Sequence, residues 1–311
     1  MPARRNGPVS ANVRPHKEPP MSFQRWQCAW PRTWPYALFK KHHTELNHLY
    51  WSNAAAATHA LSTVAKGVQT DPVGSVLTIP TANARRINFT VEDWRGKFKE
   101  FENWTRLNSL MALTGYLETY LHSVATLALT SDPGLLISST RAVDGICLAK
   151  RKVLPDLAPH VTSLTKGSWP SRLKSYERLF GRVPTPLSGA ATELDAMRKL
   201  RNGVGHSFGR LIDDYRSPLL MKPLPVQRLS EERLQKWLEV IDDCVNSIEE
   251  QLRVDHIGAI EVLLNYQAWD KKFPAGHMTE ERAFRARFPD AQGNPPTLAY
   301  FKEAIAYHRV A

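Results

Sequence analysis

Between Phe98 and Leu127 the apolar residues fall mostly at steps of three and four: Phe98, Phe101, Leu107, Leu110, Leu113, Leu117, Leu121, Val124 and Leu127. A strand needs a period of two, so this stripe reads as one long helix over about 90–130. Thr90 or Asp93 is placed to cap its start, and "TSDPG" ends it. So long a helix with a broad apolar face requires other helices to cover it. The stripe therefore predicts an all-α fold, an antiparallel helical bundle.

The rest of the chain supplies those helices. "YALFKKHHTELNHLYWSNAAAATHALSTVAK" (36–66) reads as helix, with Ala54–Ala57 as strong helix formers. Asp132-Pro133 opens a helix running to about Lys152, with proline at its first position. "SWPSRLKSYERLFG" gives a shorter helix closed by Gly181, and Ser188 is a cap for a further helix over 188–206. Ser230, followed by two acids, starts a helix striped by Leu234, Trp237, Leu238, Ile241, Val245, Ile248 and Leu252. "DPVGSVLTIPTANARRINFT" is the one strand-like place, an extended segment or loop. The organisation is a basic Pro/Trp-rich leader (1–35), an N-terminal helix with an extended segment (36–89), the bundle (90–255) and a small C-terminal helical region (256–311).

Charge separates the leader from the body. Net charge is +11, and residues 1–41 hold eight basic residues against Glu18. Such an arm touches a polyanion or is simply solvated. Trp26, Trp30 and Trp34 have helical spacing, but Pro31 and Pro35 interrupt it, so an irregular segment draping its indoles over the body is expected. No apolar run is long enough to span a membrane, and no secretory signal is visible. Cys28, Cys147 and Cys244 read as free thiols of a reducing cytoplasm, two of them in the core.

One stretch departs from good helix design: "MRKLRNGVGHSFGR", residues 197–210. Two glycines, each costing about 1 kcal/mol relative to alanine in a helix, stand beside Arg201, Asn202 and His206. Either the helix ends here with a glycine cap, or the backbone opens for a site. On a regular helix Leu194, Met197, Leu200 and Val204 share an apolar face with Arg201 at its edge, and His206 lies about 140° from Arg201. Two routes bring arginine and imidazole together: an irregular helix end at Gly203 and Gly205, or the reach of a long arginine across a groove or dimer interface. Once together, the groups suit one chemistry. Imidazole moves a proton near neutral pH, guanidinium stabilises a phosphorane, and the amide orients a water or hydroxyl. The 2′-hydroxyl of an RNA would attack its own phosphate without a metal.

An all-α bundle with R-N-x-x-x-H near the end of a late helix (Arg201, Asn202, His206) resembles the HEPN superfamily. "LTGYLETYLHSVATLAL" resembles the family's long helix, with Glu118 as its buried acidic residue, and "SWPSRLKSYERLFG" resembles the RiboL-PSP type. The resemblance covers about 90–255. It implies a homodimer with a shared ribonuclease cleft, in a prokaryotic toxin, abortive-infection or antiviral setting. Arg201, Asn202 and His206 would be the catalytic residues, supported by Glu118 and Arg198, with Lys199 and Arg210 on the RNA. No metal or cofactor is expected. A regulatory or antitoxin protein is a further expected partner.

Plainer readings stand beside these. Arg201 can pair with Glu118 or Glu193 to hold helices in register. His206 can serve as a cation near a helix C-terminus, and Arg198 and Lys199 can form a solvated face. His42, His43 and His48 lack the spacing of a helical zinc site and read as surface histidines. Tyr116 and Tyr120 read as core. The alternative to an enzyme is a non-catalytic helical module that binds RNA or a protein as a dimer scaffold.

Overall fold

The computed structural model describes residues 22–79, 81–207, 209, 225–272, 278–288 and 296–311. Among them the chain is all-α, with an isolated antiparallel bridge between Pro72 and Thr90 and no strand. No described helix is long and apolar enough to cross a membrane.

Helix α2 (Val91–Ser131) is the axis of the bundle. Thr90 caps it, its hydroxyl accepting from the Asp93 N–H, and Glu92 and Asp93 meet the positive end of the dipole. Over 41 residues it extends about 60 Å. Leu107, Leu110, Leu113, Leu117, Leu121 and Val124 are all buried. Helix α1 (Trp34–Val64) runs antiparallel to α2: Phe39 packs on Tyr120 near one end, and Gly67, just past α1, lies against Val91 at the other.

The short helices α3 (Gly145–Arg151), α4 (Ala158–Thr165), α5 (Trp169–Phe180) and α6 (Thr185–Gly189) lead to α7 (Ala191–Ser207), which carries the unusual stretch and lies antiparallel to α2. Helix α8 (Glu231–Leu252) is capped by Ser230, and every residue of its expected stripe is buried. A π-turn (Arg253–Ile257) connects it to α9 (Ile260–Ala268), with α10 (Glu280–Arg285) and α11 (Leu298–Val310) beyond.

Several expectations need correction. Residues 132–152 are not one helix. A 3-10 turn (Pro133–Ile137) is followed by Ser138 and Arg141 at φ 54° and 60°, and Asp144 then caps α3. The Asp132 carboxylate accepts from the Arg141 N–H, which favours the turn over helix. Glycine is required at 145, because a Cβ there would sit 1.6 Å from the Thr130 carbonyl oxygen. Ser188 lies inside α6 and does not cap α7; its hydroxyl donates to the Thr185 carbonyl. The strand-like segment forms 3-10 turns at Val73–Ser75 and Thr81–Arg86.

The described part of the leader (22–33) belongs to the fold. Trp30 is buried against Phe288, Phe23 packs on Tyr300 and Tyr307, and Arg25 is buried in an ion pair with Asp144 at 2.8 Å. Of the three indoles only Trp30 is seen on the C-terminal aromatic cluster, at Phe288; the Trp26 ring packs against Arg25 and Arg141, and Trp34 is the first residue of α1. His43 is not a surface histidine: it is buried, with Nε2 3.2 Å from the Leu238 carbonyl. Tyr120 is core, whereas Tyr116 is half-buried and stacks on His42. Cys244 is buried; Cys28 and Cys147 are half-buried.

Candidate active site

Helix α7 buries Leu194, Met197 and Leu200, as the wheel requires, and this turns Arg201 towards the groove between α2 and α5. There Glu118 of α2 meets two guanidinium groups. One oxygen accepts from Arg172 Nη2 at 3.3 Å and the other from Arg201 Nη2 at 3.5 Å. Arg201 Nη1 also donates to the Asn202 side-chain oxygen at 3.2 Å. Arg201 and Glu118 are each about one-third exposed, at 33% and 30%. Glu118 is thus half-buried rather than enclosed. Of the two partners foreseen for Arg201, Glu118 is the actual one. Glu193 instead accepts from Lys236 and from the Trp237 indole.

Arg198 and Lys199 both turn to Asp195, at 2.8 and 3.3 Å. The Arg198 hydrogen bond is the main reason the Asp195 carboxyl is held down at about 2, and it outweighs the opposing effect of burial. Asp195 also accepts from the Trp169 N–H, tying α7 to the first turn of α5. Lys199 is 73% exposed on a solvated face. Around the groove, Arg172, Arg198 and Arg201 face Glu118 and Asp195, an excess of one positive charge. The enclosed space between Glu118, Trp169, Arg172, Arg198 and Arg201 is about 10 Å³, room for one water at most. Any larger ligand must lie on the rim.

The two glycines do not open the helix. Helix α7 continues through Gly203 and Gly205 to Ser207. The Gly203 carbonyl accepts from the Ser207 hydroxyl and from the Gly209 N–H, and the left-handed residue that closes the end is Gly209, at φ 78°. A Cβ on Gly205 would make only ordinary contact with Met111. The irregular-end route to uniting Arg201 and His206 is therefore overturned: the helix is regular, so their directions stay about 140° apart. His206 is exposed, and its imidazole makes no hydrogen bond or ion pair with the described residues. Arg201, Asn202, Glu118 and Arg198 are gathered on one rim; His206 stands apart from it within a single copy. Arg210 lies outside the described residues.

Two features escaped the sequence reading. Arg172 is one; the sequence sign was a cation at the i+3 position of the buried stripe Trp169–Arg172–Tyr176, where it needs a partner. The other is the first half of α2. Phe101 and Trp104 are 45% and 59% exposed and continue a row of rings from Trp94 and Phe98. Phe101, expected to face the core, is exposed among the described residues. The two rings border a groove of about 590 Å³ that reaches Val204 of α7. Compared with known proteins, the chain matches no family model, no curated protein and no solved structure.

Proposed function

We propose that the chain is a metal-independent endoribonuclease of the HEPN type, acting as a homodimer. The observation that carries the reading is the rim itself. Arg201, bonded to Asn202 and to Glu118 of the long helix, lies among an excess of positive charge on a partly exposed edge of an all-α bundle. His206 is solvent-facing on the same helix, so a second copy related by a two-fold axis can bring its imidazole to the first copy's Arg201. In the reaction the 2′-hydroxyl oxygen bonds to the adjacent phosphorus as imidazole accepts its proton. The P–O5′ bond breaks, and the 5′-oxygen leaves with a proton. The products are a 2′,3′-cyclic phosphate and a 5′-hydroxyl. Arg201 neutralises charge on the phosphorane. A toxin or antiviral role restrained by a regulatory protein is the setting that goes with such an enzyme.

The second reading, a non-catalytic dimer scaffold binding RNA or protein, is favoured by one observation: Arg172, Glu118 and Arg201 tie α2, α5 and α7 together, as a purely structural cluster would. Mixing decides between them. Arg201→Ala and His206→Ala proteins, each inactive alone on labelled RNA in EDTA, should regain cleavage when co-refolded, with cyclic-phosphate ends. Wild-type protein that leaves every RNA intact in the presence of the cellular trigger would refute the enzyme.

A further inference from the structure

We infer that Arg172 is a positioning residue for Arg201: by holding one oxygen of Glu118, it keeps that carboxylate from closing on Arg201 with both. The inference concerns the site proposed above, but its geometric core does not depend on the reaction. Arg172 is 4% exposed on the inner face of α5. Its Nε donates to the Gly167 carbonyl at 3.2 Å, and its guanidinium lies 4.9 Å from the Trp169 ring. Burial lowers its pKa, while the Glu118 charge opposes that shift. A cation so enclosed keeps a firm hold on its one carboxylate.

On the other side, Arg201 is incompletely engaged. Its Nη2 reaches Glu118 only at 3.5 Å, and its Nε is buried with no hydrogen-bond partner. Nε and Nη2 form one edge of a guanidinium, the edge that a carboxylate prefers to grip with two parallel hydrogen bonds. The second prong is missing because the other oxygen of Glu118 is committed to Arg172. Arg172 thus limits how far Glu118 neutralises Arg201. Without Arg172, Glu118 is released to grip Nε and Nη2 together.

Phenylglyoxal, which modifies guanidinium groups not held by carboxylates, reads this directly when adduct formation at Arg201 is followed by peptide mass spectrometry on the full-length protein. Arg172→Met should slow modification of Arg201 about threefold, the scale of a partly exposed ion pair. The double variant Arg172→Met with Glu118→Gln should react at least as fast as wild type. Glu118→Gln alone should also react faster than wild type, its cooperative thermal transition being checked first because the buried Arg172 loses its carboxylate. Should Arg172→Met lose its cooperative thermal transition, Arg172→Gln takes its place, with slowing in the same direction. The inference is overturned if Arg201 reacts equally in wild type and the Arg172 variant, or if Glu118→Gln leaves the rate unchanged. RNA cleavage by the same proteins is scored separately. Modification that follows the pattern while no protein cuts RNA sustains the positioning role and removes the nuclease; cleavage lost on Arg201→Ala with a flat modification pattern does the reverse.

Discussion

Two glutamates on neighbouring helices hold very different company. Glu249 of α8 is completely buried and accepts from the Thr33 N–H at 2.6 Å, the Thr33 hydroxyl at 2.8 Å and the Tyr120 hydroxyl at 3.2 Å. Nearby, Glu261 accepts from the Trp34 N–H. Together they close the first turn of α1. All these donors are neutral, so burial pushes both carboxyls up, Glu261 to about 8, with its Trp34 bond opposing and the Glu249 charge adding. Glu118, by contrast, is half-exposed between two guanidinium groups, one of which keeps an unpaired nitrogen. The first region spends its hydrogen bonds on docking a helix end and leaves nothing over. The second is incompletely satisfied, which is the condition for a further ligand to gain anything by binding there.

The contrast can be broken by substitution. Glu249→Ala should have the largest effect, a loss of about 4 kcal/mol in urea unfolding, because three buried donors lose their acceptor. Arg201→Ala should cost less than about 1 kcal/mol of stability but about a hundredfold in RNA cleavage; equal losses in both would move this residue into the structural class. The pH response sharpens the difference further. Glu261 binds a proton more tightly folded than unfolded, so its contribution is complete below pH 4.5 and is lost as pH rises towards 8. Melting temperature should therefore drop by a few degrees across that window, and Glu261→Gln should flatten the drop. The smallest effect belongs to Lys199→Ala, with a melting temperature within about 1 °C of wild type and a slightly shallower salt dependence of RNA binding. Deletion of residues 22–35 should destabilise the fold, because it removes Arg25, Trp30 and Thr33 and with them part of the core.

Much of the scaffold was legible because helix periodicity is a local property. The stripe on α2, the caps at Thr90 and Ser230 and the closure of α5 at Gly181 all follow from residues within a few positions of one another. The break at 132–144 was hidden because it turns on which side chain wins a backbone N–H, and a proline after aspartate announces a helix equally well. Within the site, Glu118 was legible as a partner of Arg201. Arg172 was not, since its role exists only where α5 crosses α2.

By itself the sequence determined most of the helical segments and their apolar faces, and that Arg201 and His206 point in different directions on α7. Those are consequences of backbone period and side-chain type. Only the tertiary structure decided that Gly203 and Gly205 stay helical, that Phe23 and Trp30 of the leader pack on the C-terminal cluster, and that one carboxylate is shared by two arginines. Each of these depends on what lies across from a residue in space, and burial and charge pairing act through that distance rather than along the chain.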